Sequence, residues 1–166
     1  MLVIEIKKCL ACKSCEIECS LRHSLSGKLE KAVTEYPRPQ TRVKVEKAGR
    51  GSVPLQCRHC EEAPCVMICP TKAIKKTGVE EPVIIEASLC IGCKFCVQAC
   101  PFGVIFLDSQ GKGIIKCDLC LEKLKKDELP ACVEGCPTAA IKFKLSSELS
   151  AELRKKAGKD LVVIIG

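Results

Sequence analysis

Cysteine is the residue that most constrains this chain, because its sixteen copies fall into four groups of four. Two cysteines three residues apart open every group, and no cysteine lies outside the groups. The groups are Cys9, Cys12, Cys15 and Cys19; Cys57, Cys60, Cys65 and Cys69; Cys90, Cys93, Cys96 and Cys100; and Cys117, Cys120, Cys132 and Cys136. A cysteine total that four groups use completely predicts four metal centres.

A disulfide framework is the other common reason for so many cysteines. The opening residues, MLVIEIKK, lack the basic start and long apolar stretch of an export signal. No apolar run reaches the roughly 20 residues that span a bilayer. We therefore expect a cytoplasmic chain with no direct membrane span, in a compartment where thiols stay reduced.

The spacing within the groups distinguishes iron–sulfur clusters from zinc. Zinc sites with four thiolates commonly use two CxxC pairs joined by a longer loop, and the fourth group alone could be read that way. Groups one and three have the spacing C-x2-C-x2-C-x3-C. In that run the first three thiolates hold one [4Fe–4S] cluster, and the fourth ligates the other cluster of a pair. The sequence favours iron–sulfur clusters, with a zinc-binding interaction module as a remote alternative.

The groups that end in Cys-Pro resemble those of bacterial ferredoxins with two [4Fe–4S] clusters. Over residues 3–145, the four groups together resemble the four-cluster electron-transfer subunits of the dimethyl sulfoxide reductase family. The most specific segment is CRHCEEAPCVMICP at 57–70. The opening segment CLACKSCEIECSLRHS looks most like the small iron–sulfur subunits of carbon monoxide dehydrogenase, tungsten aldehyde oxidoreductase and benzoyl-CoA reductase systems.

This resemblance implies an α+β chain, a nested double bacterial-ferredoxin-like fold of short strands, short helices and loops around four clusters. The four-cluster unit would cover residues 1–145, with an outer half from 1–36 and 110–145 and an inner half from 50–109. Residues 146–166 would form a C-terminal helix and tail. Serine at the start and Gly158 predict a helix over 146–158, and LVVII after it could add an edge strand or contact a partner.

Local patterns predict the remaining elements. Runs rich in Val and Ile predict strands at 2–6, 41–46, 82–86, 104–107 and 139–145. DSQGKG at 108–113 predicts a hairpin turn, and the segments from the third to the fourth cysteine of each group are expected to be helical. Residues 20–56 form an insertion, either a partner-binding excursion or an ordinary surface loop.

The resemblance also implies ligands that cross between groups, with group one pairing with group four and group two with group three. Group one ends in Cys19-Ser20 rather than Cys-Pro, but proline is not a ligand, so the departure does not argue against ligation. The four implied sets, each holding one [4Fe–4S] cluster, are Cys9, Cys12, Cys15 and Cys136; Cys117, Cys120, Cys132 and Cys19; Cys57, Cys60, Cys65 and Cys100; and Cys90, Cys93, Cys96 and Cys69.

The positive net charge does not predict a nucleic-acid partner. The formal charge of +7 counts every thiol as neutral. Each cluster with four thiolates carries about −2, so four would bring the net charge to about −1. Aromatic residues make up only 3% of the chain, and they do not alternate with Arg as nucleic-acid surfaces often require.

The chemistry expected of this chain is electron transfer rather than catalysis. A cluster whose irons all carry cysteine has no open site for substrate. The sequence also lacks a phosphate-binding loop, a dinucleotide fingerprint and a CxxxCxxC radical motif. We expect a subunit that is not an enzyme by itself. It would relay single electrons between a large catalytic subunit, of a molybdenum or tungsten enzyme or carbon monoxide dehydrogenase, and a second redox protein. A free-standing soluble polyferredoxin is the alternative.

Overall fold

Short antiparallel strand pairs form the sheet structure of the chain. The computed structural model describes residues 1–49, 51–78 and 81–165. Within these residues the strands pair two by two: β1 (Leu2–Ile4) with β8 (Ile141–Phe143), β2 (Val43–Ala48) with β3 (Gly51–Gln56), β4 (Ile74–Lys75) with β5 (Ile84–Ile85), and β6 (Ile105–Leu107) with β7 (Ile114–Lys116).

The helices are short, except at the C-terminus. Their bounds are α1 (Ser14–Arg22), α2 (Leu29–Ala32), α3 (Pro64–Met67), α4 (Phe95–Ala99), α5 (Leu121–Leu124), α6 (Ala131–Glu134) and α7 (Ser146–Ile165). The helices expected between the third and fourth cysteines are present as α1, α3, α4 and α6. The mixed α+β architecture predicted from the sequence is therefore confirmed in its coarse form. No helix in the described part of the chain is both long and apolar enough to cross a membrane.

Two strand pairs bring distant cysteine groups together. In the β1–β8 pair, Ile4 lies opposite Ile141, so the segment entering group one runs beside the segment leaving group four. In the β4–β5 pair, Ile74 lies opposite Ile85, so the exit of group two runs beside the entrance of group three. Backbone pairing thus joins group one to group four and group two to group three.

Cysteine and small aliphatic side chains make up much of the buried interior. One cluster of buried residues surrounds Ile74, Val83 and Ile105 and includes Cys65, Cys69 and Cys96. The other surrounds Val43 and Ile141 and includes Cys15, Cys19 and Cys132. The largest fully buried side chains are aliphatic or proline, with no aromatic ring among them in the described residues. The apolar packing is therefore modest and is centred on sulfur atoms.

The insertion at 20–56 is not a surface loop throughout, and its role in binding a partner stays a prediction. The β2–β3 hairpin occupies its second half, and Val43 is only 2% exposed. The strand predicted at 41–46 is present with shifted bounds, whereas β3 was not predicted, because Gly51 and Pro54 weaken the strand pattern there. Only the first half, which contains α2, remains an exposed excursion from the core.

The predicted end of the C-terminal helix at Gly158 was wrong, whereas the alternative that LVVII contacts a partner stays a prediction. Helix α7 continues through this glycine to Ile165, so LVVII extends the helix and does not form an edge strand. An internal glycine costs about 1 kcal/mol relative to alanine, which a long helix tolerates when no proline or turn residue follows. The hairpin predicted around DSQGKG is confirmed by the β6–β7 pair.

Candidate metal centres

The four CxxC segments share one backbone conformation. In each, the residue just before the second cysteine has a left-handed φ: 57° at Ala11, 49° at His59, 68° at Gly92 and 60° at Leu119. This conformation is uncommon for residues other than glycine. It directs backbone N–H groups toward sulfur, since His59 N–H donates to Cys57 Sγ (3.4 Å) and Leu119 N–H to Cys117 Sγ (3.3 Å). Except at Gly92, the residue types in these segments do not predict the repeated turn.

Replacing Gly92 by alanine is expected to lower the midpoint of thermal unfolding under anaerobic conditions. A Cβ at this position would lie 2.0 Å from the carbonyl oxygen of Lys112, so the backbone must move. The left-handed φ alone costs alanine about 1 kcal/mol, and the clash should raise the total loss to about 3 kcal/mol.

Gly111→Ala is the matched control for this substitution. Gly111 has a φ of +69°, almost the same as the +68° of Gly92, but a Cβ there meets nothing within 4 Å. It should therefore show the conformational penalty without the clash. Equal losses of stability in the two variants would contradict the close approach between Gly92 and Lys112.

The third cysteine of every group has the same position in a helix. It is the second residue of α1, α3, α4 and α6, and its exposed fraction is between 6% and 8% in all four cases. Burial raises the pKa of two of these thiols, Cys15 and Cys65, to about 11. Sulfurs buried in this way become thiolates only when a positive charge such as a metal compensates them.

The fourth cysteine lies outside the helix in three groups and inside it in one. Helices α3, α4 and α6 end before Cys69, Cys100 and Cys136, each of which precedes proline. A residue before proline is disfavoured in the helical region, and Cys100 accordingly has extended angles of −77° and 111°. Cys19 precedes serine instead, so α1 continues past it to Arg22. The missing proline therefore changes the local backbone at group one.

Hydrogen bonds favour the thiolate form at two of the Cys-Pro positions. Burial acts to raise the pKa of Cys136, but backbone N–H groups and the Thr138 hydroxyl together lower it below its ordinary value. Ala140 N–H donates to Cys136 Sγ at 3.2 Å. Cys69 has the same arrangement with Thr71, and its pKa is also lowered. Because thiolate is the ligand form, both sulfurs are prepared for metal.

Two enclosed apolar cavities are each lined by three cysteines of one group and the fourth of another. The first is lined by Cys9, Cys12, Cys15 and Cys136, together with apolar residues such as Val45 and Ile141. The second is lined by Cys57, Cys60, Cys65 and Cys100, together with Val83 and Ile105. Cysteines from the first and the last group of the chain thus meet around one cavity.

Burial and neighbouring thiolates affect several of the other eight cysteines. Burial raises the pKa of Cys132, and the thiolates of Cys117, Cys19, Cys120 and Cys15 act in the same direction. Burial raises the pKa of Cys96, as do the thiolates of Cys93 and Cys90. Cys69 is buried in the same apolar cluster as Cys96, with Cys90 packed against it.

The donor atoms fit a multinuclear cluster better than a single zinc ion. Four Zn–S bonds of about 2.3 Å in a tetrahedron place sulfurs about 3.8 Å apart. In the described residues, the group of three metal-binding side chains with ligand atoms within 4.8 Å of one another is His23, Asp118 and Cys120. No three cysteine sulfurs in the described residues lie that close to one another. Asp118 in that tight group is already paired with Arg42 (2.7 Å).

Several polar groups beside the sulfurs were not predicted from the sequence. Arg42 N–H donates to Cys19 Sγ (3.2 Å), and its guanidinium pairs with Asp118. Burial, followed by the charge of Arg42, lowers the pKa of His23 to about 4. Residue types alone give no signal for this network, because Arg42 is 23 residues along the chain from Cys19.

His59 contacts the backbone rather than occupying a ligand position. Its Nδ1 accepts a hydrogen bond from Val83 N–H at 3.1 Å. Burial, followed by the charge of Lys116, lowers the pKa of His59 to about 3, so the imidazole is neutral. A neutral ring that accepts at Nδ1 carries its proton on Nε2.

Comparison with known proteins gives matches over most of the chain. Residues 51–146 match the family model described as 4Fe-4S dicluster domain. An iron-sulfur protein of Rhodospirillum rubrum is 37% identical over 147 residues, which cover 81% of this chain and 76% of that protein. A sulfite dehydrogenase subunit of Allochromatium vinosum is 33% identical, over 97% of this chain and 76% of that protein. The thiosulfate reductase electron transfer subunit PhsB of Salmonella typhi is 35% identical, over 82% and 71% respectively.

Proposed function

We propose, from the premise that this chain belongs to the 4Fe-4S dicluster domain family, that it is the electron-transfer subunit of an oxidoreductase complex. The family match covers residues 51–146, and similar proteins include a dehydrogenase subunit and a reductase electron transfer subunit. The observation that carries the proposal is the pair of cavities in which four cysteines from two groups converge. Each cavity thus has four sulfur ligands, one for each iron of a [4Fe–4S] cluster.

The proposed ligands are the four crossed sets expected from the sequence. Cavity linings support two sets, and burial and thiolate coupling support the other two. All sixteen cysteines would then hold four [4Fe–4S] clusters, two in each half of a nested double ferredoxin-like fold. The proposed outer half comprises 1–36 and 110–145, and the proposed inner half comprises 50–109. Helix α7 (Ser146–Ile165) is the proposed C-terminal extension of this unit.

The protein contributes ligation, exclusion of water and hydrogen bonds. When bound, a [4Fe–4S] cluster supplies one-electron transfer, its core alternating between charges of about 2+ and 1+. The buried third cysteines, and at two sites the apolar cavity walls, would shield a bound cluster, while N–H groups such as those of His59 and Leu119 donate to sulfur. Burial and hydrogen bonding are the means by which a protein adjusts cluster potentials.

A subunit that relays electrons needs two partner proteins. One would be a large catalytic subunit, which we propose to be a molybdenum or tungsten enzyme or carbon monoxide dehydrogenase, and the other would be a second redox protein. The similar proteins named as dehydrogenase and reductase subunits support the first partner only in general terms. We propose a cytoplasmic location, since thiolate ligands need a reducing compartment.

Anaerobic purification of the untagged native chain tests this function. We expect about sixteen irons and about sixteen acid-labile sulfides per chain, four of each per cluster. A large oxidoreductase subunit should copurify with it. About eight irons would contradict the four-cluster assignment, and stoichiometric zinc without sulfide would contradict electron transfer itself. Full iron content without any copurifying subunit would favour the free-standing polyferredoxin.

A further inference from the structure

Lys116 is an unusual residue in this chain because its charge is buried. It is the last residue of β7 and is 3% exposed, and no other charged side chain among the described residues is buried. Its ammonium donates to the carbonyl oxygen of Cys117 at 2.7 Å and to that of Val83. Both acceptors are neutral backbone groups.

The position of this ammonium is between two of the proposed cluster sites. Val83 lines the cavity of Cys57, Cys60, Cys65 and Cys100. Cys117 belongs to the set that includes Cys19 and lies in the other half. Lys116 therefore donates both to a residue that lines one proposed site and to the backbone of a proposed ligand in the other half.

Within the part of the chain that the structure describes, no carboxylate pairs with Lys116. A buried charge without a counter-charge is costly, and two carbonyl dipoles compensate it only in part. A [4Fe–4S] cluster with four thiolates carries about −2 and is the compensating charge that the site would provide. Anionic clusters on either side of Lys116 would supply the missing counter-charge.

We propose that the Lys116 ammonium raises the reduction potentials of the two proposed iron–sulfur sites that lie beside it. This inference rests on the proposed function. Reduction adds a negative charge to a site, and a nearby buried cation stabilises the reduced form more than the oxidised form. Lys116 would act by charge, without being a ligand.

Anaerobic redox titration followed by electron paramagnetic resonance tests this role. In Lys116→Met, two of the four midpoint potentials should shift to more negative values, while the iron content stays equal to that of the unmodified chain. Lys112→Met is the matched control, since Lys112 lies in the same hairpin but is exposed. Its removal should leave all four potentials in place, because solvent screens an exposed charge.

Lys116→Arg separates charge from shape. The arginine variant should keep the potentials near those of the unmodified chain. If Lys116→Met cannot bind iron, retention of iron by the arginine variant would support the role of charge. Loss of iron in both variants would show that shape matters, and would overturn the inference. Unshifted potentials in a fully loaded Lys116→Met would also overturn it, and would leave the proposed function intact. Absence of iron from the unmodified chain would contradict the proposed function itself.

Discussion

Removal of iron is expected to unfold the protein. The sheets are isolated strand pairs of two to six residues a side, and pairs of this kind are marginally stable without further support. Their packing depends on clusters of buried residues in which cysteines stand beside small aliphatic side chains. Since metal binding and folding are coupled in such cores, the chelated chain should lose most of its ordered structure.

Far-ultraviolet circular dichroism and limited proteolysis, both performed anaerobically, measure this effect. The iron-free chain should lose its cooperative thermal transition, and anaerobic reconstitution with iron and sulfide should restore it. Reconstitution with zinc is the control, because it tests whether any thiolate–metal bond restores the cooperative thermal transition. An iron-free chain that melts cooperatively at the midpoint of the loaded protein would contradict metal-dependent folding.

Paired substitutions are expected to reveal which cysteines share a cluster. If Cys9 and Cys136 ligate the same cluster, the double alanine variant removes two ligands from one site and should lose about four irons. Cys117→Ala with Cys136→Ala would instead remove one ligand from each of two sites. A site that loses two ligands should be lost completely, whereas one that loses a single ligand can persist in altered form.

Iron and sulfide analysis of the two double variants measures the difference. A model in which each group encloses its own cluster predicts the opposite result, with the complete loss of one cluster in the variant of Cys117 and Cys136. Cys117→Ala with Cys19→Ala is the internal control, because crossed ligation again places both residues at one site. An anaerobic crystal structure with Cys136 and Cys117 bonded to the same cluster would disprove the crossed assignment.

The spacing of the cysteines determined the chemistry before any fold was known. The run C-x2-C-x2-C-x3-C places cysteine ligands at close and regular intervals. The class of cofactor can therefore be inferred from the local sequence. The short helices between the third and fourth cysteines and the turn at 108–113 are likewise local features. They were predicted because propensity and turn chemistry depend on neighbouring residues.

Other features depend on contacts between residues far apart in the chain, and these were not predicted. β3 forms because it pairs with β2, although Pro54 weakens its own strand pattern. The contact of Arg42 with Cys19 and Asp118 requires the insertion to fold back over α1.

The sequence by itself therefore determined the donor atoms, their grouping and the class of protein, because metal identity depends on ligand type and spacing. Only the tertiary structure decided which sulfurs face a common cavity and that the charge of Lys116 is buried between two of the proposed sites. The physical reason is that burial and charge coupling are properties of three-dimensional distance. Strand pairing, above all that of β1 with β8, sets these distances across the whole chain.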